Sequence, residues 1–108
     1  MEFSPIGDAE YHLTVARALI DKPEKWCQGG FHKGDSFCAA GALREPWMTK
    51  PVREEYYGES RAAELLAKAV GIYDFNLISR WNDAPERTHA EVLAAYDRAI
   101  AEARRLGV

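Results

Sequence analysis

The sequence predicts an all-α protein: a compact single-domain bundle of four to six helices with an ordered loop of glycine and aromatic residues. Three observations lead to this prediction. Apolar residues recur at helical spacing, helix start and stop signals flank those segments, and no segment alternates polar and apolar residues as a strand would. With 108 residues, 47% of them hydrophobic, residues 1–108 correspond to one domain with one core.

The first helix is predicted from Asp8, a candidate N-cap, to Asp21. Lys22-Pro23 ends it, because the residue before a proline is biased away from helical geometry and proline has no amide hydrogen to donate. The predicted inner face consists of a main apolar stripe and three residues that widen it: Tyr11, Val15, Ala18, Leu19, and then Leu13, Ala16 and Ile20.

An ordered loop is predicted next, over residues 24–34. This segment has three glycines, two aromatic residues and no hydrophobic period, so it indicates neither a helix nor a strand. We expect its aromatic residues, Trp26 and Phe31, to anchor the loop on the core.

A short second helix is predicted over residues 37–44, with Asp35 or Ser36 as its cap and Pro46 ending it. Four small residues in a row would let another backbone approach this helix closely, so we expect it to be central and buried. Residues 47–58 carry conflicting signals, and a helical turn and a surface segment remain open there.

The third helix is predicted to begin after Ser60, its candidate cap, and to end at Gly71. Gly71 followed by the apolar Ile72 is typical of a Schellman ending, in which glycine takes the left-handed conformation. Its buried face is predicted to consist of Ala62, Ala63, Leu66, Ala69 and Val70.

Two more helices are predicted towards the end of the chain. Asp74 is the candidate cap of a short helix that carries Leu77, Ile78 and Trp81, and a turn over residues 82–85 follows it. Thr88 and Glu91 have the spacing of a capping box, and Gly107 would end the last helix. The inner face of this last helix is predicted to be Val92, Tyr96, Ala99, Ile100 and Ala103.

Charge and composition exclude some function classes. The 14 Lys and Arg residues against 17 Asp and Glu give a net charge of −3, which argues against a broad surface for nucleic acid; only a local patch at Arg98, Arg104 and Arg105 would remain for it. The N-terminus lacks the pattern of a secretory signal, and no apolar run approaches a membrane span. We therefore expect a cytoplasmic protein without membrane contact, in which Cys27 and Cys38 are reduced. A single disulfide bridge between these two cysteines is the alternative.

Cys38 suggests a nucleophile, because the first turn of a helix favours a thiolate. With His89 as base, Asn82 or Asp83 as orienting group and Gln28 as oxyanion donor, the chain contains the components of a cysteine-dependent hydrolase or transferase. The alternative is structural: cysteine often packs as a small buried residue, and the neighbours of Cys38 are small.

Two surfaces are candidate binding sites. Trp26 and Gln28 from the loop, with Trp81 and Asp83 from the late turn, would line a cleft for a small molecule, or they would serve packing and turn formation alone. Tyr56 and Tyr57 would contact a protein partner if they are exposed.

No metal or cofactor site is predicted. The ligand spacings of zinc sites and EF-hands are absent, and the glycines around residue 30 do not form a phosphate-binding loop.

Six segments, in chain order, carry a resemblance to a known family: Ala16-Arg17-Ala18-Leu19-Ile20, Trp26-Cys27-Gln28-Gly29, Cys38-Ala39-Ala40-Gly41-Ala42-Leu43, Trp81-Asn82-Asp83, Arg87-Thr88 and Glu91-Val92. In these segments the chain resembles DUF6197, a family of small uncharacterised bacterial and phage proteins. The resemblance spans about Leu13 to Ile100 and implies a single domain of bacterial or mobile-element type, without implying an activity.

The functional prediction is a non-enzymatic binding or regulatory module with a protein partner. A phage or mobile-element accessory protein that modulates a host protein would be one form of it. The cysteine-dependent enzyme and the small-ligand-binding domain are the alternatives.

Overall fold

The structure is a computed structural model that describes residues 7–49 and 58–108, with side chains described for 7–44 and 61–108. Two single-turn 3₁₀ helices, Pro23–Lys25 and Phe75–Leu77, lie in connections. The main elements of the described part are α1 (Asp8–Leu19), β1 (His32–Lys33), β2 (Ser36–Phe37), α2 (Ala39–Thr49), α3 (Gly58–Ala69), α4 (Ile78–Asn82) and α5 (His89–Leu106). The chain is mostly helical, as predicted.

The prediction of a purely all-α protein is wrong, because β1 and β2 form a small antiparallel hairpin. Lys33 pairs with Ser36, and His32 pairs with Phe37. Gly34, with a φ of +59°, gives the left-handed backbone that a two-residue hairpin turn needs. Strands of two residues are too short to produce an alternating pattern, so the only sequence signal was the Gly34-Asp35 turn.

The core lies between α1, α2, α3 and α5. α5 packs against α1 and α3, and α1 also packs against α2 and α3. Tyr96 is fully buried at the centre, and its hydroxyl donates to the carbonyl oxygen of Ala39 at 2.6 Å. The other largest apolar side chains that are fully buried are Leu13, Ile20, Leu43, Leu66, Ile78 and Val92.

The face of α1 that is buried differs from the main apolar stripe that the sequence predicted. Tyr11 is 49% exposed and Ala18 is also exposed, whereas the residues expected only to widen the stripe are buried. Two polar residues are buried with them: Glu10 pairs with Arg104 on α5, and a ring nitrogen of His12 contacts the carbonyl oxygen of Leu43. These partners let polar residues take positions that hydrophobic spacing alone assigns to the surface.

The predicted bounds of α2 are wrong at both ends. Ser36 and Phe37 belong to β2, so neither Asp35 nor Ser36 caps the helix. Cys38 takes this place, and its Sγ accepts from the backbone N–H of Gly41 at 3.2 Å. The helix then continues past Pro46 to Thr49, since a proline costs a helix one hydrogen bond but does not always end it. The prediction of a buried run of small residues is confirmed by Ala39, Ala40 and Ala42.

The ends of the later helices follow the sequence signals closely. α3 starts at Gly58, so Ser60 lies inside it, but its Schellman ending is confirmed: Gly71 has a φ of +77°, and Ile72 N donates to Ala67 O at 3.0 Å. Asp74 caps the turn before α4 by accepting from Asn76 N. The capping box of α5 is complete, its predicted inner face is buried, and left-handed Gly107 ends it.

Candidate functional site

Asn82, the last residue of α4, is the centre of a polar cluster. Its side chain is fully buried, and both sides of its amide are used. Oδ1 accepts from Trp26 Nε1 at 2.7 Å and from Ala39 N at 2.9 Å, while Nδ2 donates to Cys27 O and to Asp83 Oδ1, each at 3.0 Å. An indole and a backbone N–H only donate, so the amide oxygen must face them.

The Asn82 amide takes the place of a hydrogen bond between two chain segments. Trp26 and Phe37 form an isolated parallel bridge, and Cys27 N donates to Phe37 O at 3.0 Å. In a parallel pair, the next bond would run from Ala39 N to Cys27 O. The Asn82 side chain instead accepts from Ala39 N and donates to Cys27 O. These two bonds connect the loop to the start of α2.

A second set of hydrogen bonds extends this contact along the loop. Gln28 Nε2 donates to the carbonyl oxygens of Asn82 and Ala84 at 2.8 and 2.9 Å. Gly29 N donates to Asp83 Oδ1 at 2.9 Å. We call residues 26–29, Ala39, Asn82, Asp83 and Ala84 together the Asn82 cluster.

The structure thus brings together most of the residues predicted to line a cleft. The indole N–H of Trp26, the side-chain amide of Gln28 and the carboxylate of Asp83 bind groups of the protein itself. Trp81 lies at the side of the cluster, where the guanidinium of Arg87 covers its ring at 4.1 Å. Tyr56 and Tyr57, the other predicted binding residues, lie outside the described residues.

Cys38 is only 1% exposed. Burial raises the pKa of its thiol, and this outweighs the backbone hydrogen bonds from Gly41 and Ala40, which lower it. The helix N-terminus does not make Cys38 a thiolate here, because the cost of burying the charge is larger than the stabilisation from the amide groups.

His89, the predicted base, is the first residue of α5. Its Nε2 lies 2.6 Å from the carbonyl oxygen of Ile20, which can only accept, so Nε2 carries the hydrogen. The ring also packs 6.1 Å from the Trp26 ring, between centroids. The hydrogen bond to Ile20 joins the start of α5 to the end of α1. His89 thus donates to Ile20 O, whereas Cys38 Sγ accepts from Gly41 N.

The arginines of the predicted basic patch all have partners within the fold. Arg98 donates to Ala69 O at the end of α3, at 3.2 Å. Arg104 pairs with the buried carboxylate of Glu10, and Arg105 pairs with Glu102 on the same helix. The positive charge here is largely matched by these contacts.

The prediction for the side chain of Phe31 is wrong. Phe31 was predicted to anchor the loop, but its side chain is 48% exposed, and the guanidinium of Arg44 lies 4.7 Å from its ring centroid. The backbone of Phe31 is the part that is held: its carbonyl oxygen accepts from Cys38 N at 3.0 Å. The Phe31 backbone also passes so close to Gly41 that a Cβ atom on residue 41 would overlap the carbonyl oxygen of Phe31.

A comparison with protein families identifies the domain. The model of the family of unknown function DUF6197 matches residues 7–102. The chain belongs to this family. Both halves of the Asn82 cluster lie inside the part that defines this DUF6197 domain. Comparisons with curated proteins and with solved structures found no match.

The described residues contain no group of His, Cys, Asp and Glu side chains arranged to hold a metal ion. None of the helices formed by them is long and apolar enough to cross a membrane.

Alkylation of the native protein is expected to modify Cys27 before Cys38. Cys27 is half-buried, whereas Cys38 is buried with a raised pKa, so we expect iodoacetamide to react with Cys38 at least about tenfold more slowly at neutral pH. Mass spectrometry of the digested protein would measure both rates, and the denatured protein, in which the two rates should become similar, is the control. Faster reaction of Cys38 in the native protein would point to an activated nucleophile.

Proposed function

We propose that this DUF6197 protein is a non-enzymatic binding module, and that it docks a protein partner through the segment that carries Phe31. We call residues 28–37 the Phe31 loop. The observation that carries the proposal is that a large aromatic side chain is held half-exposed on a backbone fixed at both ends.

The two ends of the Phe31 loop are fixed by different contacts. Gln28 and Gly29 are bound to the turn after α4, as part of the Asn82 cluster. At the other end, β2 pairs with β1, and Cys38 N holds the carbonyl oxygen of Phe31. A loop that is already ordered loses little conformational entropy on binding, and a rigid aromatic ring contributes a large contact area.

The chemistry around Phe31 indicates the kind of partner surface. Arg44 stacks on the ring, and the exposed Lys33 lies in the same loop, where Asp35 is the one acidic residue. A matching surface would offer an apolar pocket for the ring with carboxylates beside it. An apolar pocket flanked by carboxylates is a feature of a protein surface, so we propose a protein as the partner.

The contacts of the other candidate residues favour binding over catalysis. The thiol of Cys38 is buried and serves as a helix cap, and His89 donates to a backbone carbonyl. Trp26, Gln28 and Asp83 use their polar groups to hold the loop, which also makes them poor candidates for a small-ligand site. The cysteine-dependent enzyme and the ligand-binding domain stay alternatives, and the alkylation experiment tests the first.

The proposal places the module in the cytoplasm, where most protein thiols are kept reduced. The proposal includes a regulatory form, in which a phage or mobile-element protein modulates a host protein through the Phe31 loop. The identity of the protein that binds the Phe31 loop decides between this form and an ordinary adaptor.

Site-specific photo-crosslinking tests the proposed surface. We expect a photoreactive phenylalanine analogue placed at position 31 to give a discrete adduct in cells of the source organism. The same analogue at Tyr73, which is fully exposed elsewhere on the surface, should give none of that mass. Phe31→Ser should also lose the partner identified in this way, while keeping the thermal stability of the parent. Equal adducts from both positions, or a partner retained by Phe31→Ser, would contradict the proposal.

A further inference from the structure

We propose that Cys27 and Cys38 form a reversible intramolecular disulfide by exchange with a small-molecule disulfide such as glutathione disulfide. The pair lies at the base of the Phe31 loop, one cysteine before it and one after it. This would make it a site of redox modification, and the inference does not depend on the proposed docking function.

The pairing of the two chain segments places these cysteines opposite each other. Trp26 pairs with Phe37 in a parallel bridge, and Cys27 N donates to Phe37 O. The next pair in that register is Cys27 with Cys38. Paired strands lie about 4.8 Å apart, and a disulfide needs Cα atoms about 4.4 to 6.8 Å apart. On one side this pair is flanked by the Cys27 N to Phe37 O bond, and on the other side the Asn82 amide bridges Cys27 O and Ala39 N.

The register also places the two side chains on the same side of the paired segments. Residues that pair in a parallel ladder point to the same side of it. Besides burial, the charge of a Cys27 thiolate raises the pKa of the Cys38 thiol, so the two sulfurs are within electrostatic reach. Cys27 Sγ makes only a long contact of 3.7 Å to Gly30 O, and Cys27 is half-buried, so it is the sulfur that a small molecule can reach.

The exchange proceeds in two balanced steps. The Cys27 thiolate attacks one sulfur of glutathione disulfide, which forms a mixed disulfide and releases one glutathione thiolate. The Cys38 thiolate then attacks the sulfur of Cys27, forms the Cys27–Cys38 bond and releases the second glutathione thiolate. The two protein thiols are oxidised, glutathione disulfide is reduced, and the two protons of the protein thiols pass through solvent to the glutathione thiolates. Burial of Cys38 makes the second step the slower one.

Peptide mapping of the folded full chain tests the proposal. The protein is incubated with glutathione disulfide, remaining thiols are blocked with N-ethylmaleimide, and the sample is digested with trypsin without reduction. Cleavage after Lys25, Lys33 and Arg44 separates the two cysteines. We expect most of the cysteine-containing material to appear as one linked pair, residues 26–33 joined to 34–44, with a protein mass lower by two hydrogen atoms. The linked pair should disappear after treatment with dithiothreitol.

Two variants serve as matched controls. Cys38→Ala should stop at the first step and keep glutathione on Cys27, whereas Cys27→Ser should give neither the linked pair nor a stable adduct on Cys38. If Cys38→Ala does not fold, Cys27→Ser and the map of the parent protein decide the question. A parent protein that keeps glutathione on Cys27, or that forms a disulfide between two chains, would overturn the proposal. All of these readouts are chemical, so they are independent of whether the Phe31 loop binds a partner.

Discussion

Asn82→Ala is expected to lower the free energy of unfolding by about 3 to 5 kcal/mol. The substitution leaves Trp26 Nε1 and Ala39 N without their acceptor and Cys27 O without its donor, at a site that water does not reach freely. Each buried polar group that loses its partner costs about 1 to 3 kcal/mol. Urea unfolding followed by tryptophan fluorescence measures the change.

Asn76→Ala is the matched control for this experiment, because the Asn76 side chain is exposed at the end of the connection before α4. It should change the free energy of unfolding by less than about 0.5 kcal/mol. A loss below about 1 kcal/mol for Asn82→Ala would mean that the cluster does not hold the loop.

Asn82→Asp separates hydrogen bonding from side-chain volume. The introduced carboxylate would face Cys27 O and the Asp83 carboxylate, both of which are acceptors, so its pKa in the folded protein should lie above the unfolded value of about 3.9. A carboxyl group whose pKa is higher in the folded than in the unfolded protein stabilises the fold fully at a pH below its unfolded pKa. This stabilisation is lost as the pH rises through the folded pKa. The variant should therefore be closest to the parent in acid and fall further below it towards neutral pH. A constant difference across this range would contradict the assigned amide orientation.

Gly41→Ala is expected to destabilise the protein by about 3 kcal/mol, the upper end of the usual cost of overpacking. Helix propensity alone predicts the opposite, since alanine is favoured over glycine inside a helix by about 1 kcal/mol. The added Cβ would, however, overlap the carbonyl oxygen of Phe31, which is itself bound to Cys38 N. Both groups are backbone, so relief requires moving the Phe31 loop away from α2.

Gly30→Ala, in the same loop, is the control for this substitution. A Cβ at Gly30 would meet its nearest atom, His32 O, at 3.7 Å, which is ordinary contact. Thermal unfolding of the two variants should show a clear loss for Gly41→Ala and almost none for Gly30→Ala. A stabilised Gly41→Ala would show that propensity decides and that the close approach is absent.

Local signals were enough to predict much of the fold. The capping box at Thr88, the Schellman ending at Gly71 and the inner face of α5 depend on residues within a few positions of one another, and all are confirmed. The face of α1 could not be predicted in the same way. Its buried polar residues Glu10 and His12 find partners on α5 and α2, and spacing along one helix carries no information about such partners.

The candidate site shows the same limit. Trp26, Gln28, Trp81 and Asp83 were predicted to line one cleft, and Trp26, Gln28 and Asp83 do meet at Asn82. Which groups they bind, however, depends on contacts between residues 43 to 56 positions apart. The outward direction of Phe31 follows from the hairpin of two-residue strands, which leaves no periodic pattern in the sequence. The run of small residues around Gly41 did predict a close backbone approach, and the partner turned out to be the Phe31 loop.

Hydrogen exchange at the Trp26 indole tests most directly whether the Asn82 cluster holds the Phe31 loop in place. The reference is the indole of Trp81, which is also half-buried but is not a member of the cluster. If the loop is held as described, the Trp26 indole should exchange at least about a hundredfold more slowly than that of Trp81, and Asn82→Ala should remove the difference. Equal exchange of the two indoles in the parent protein would contradict the account.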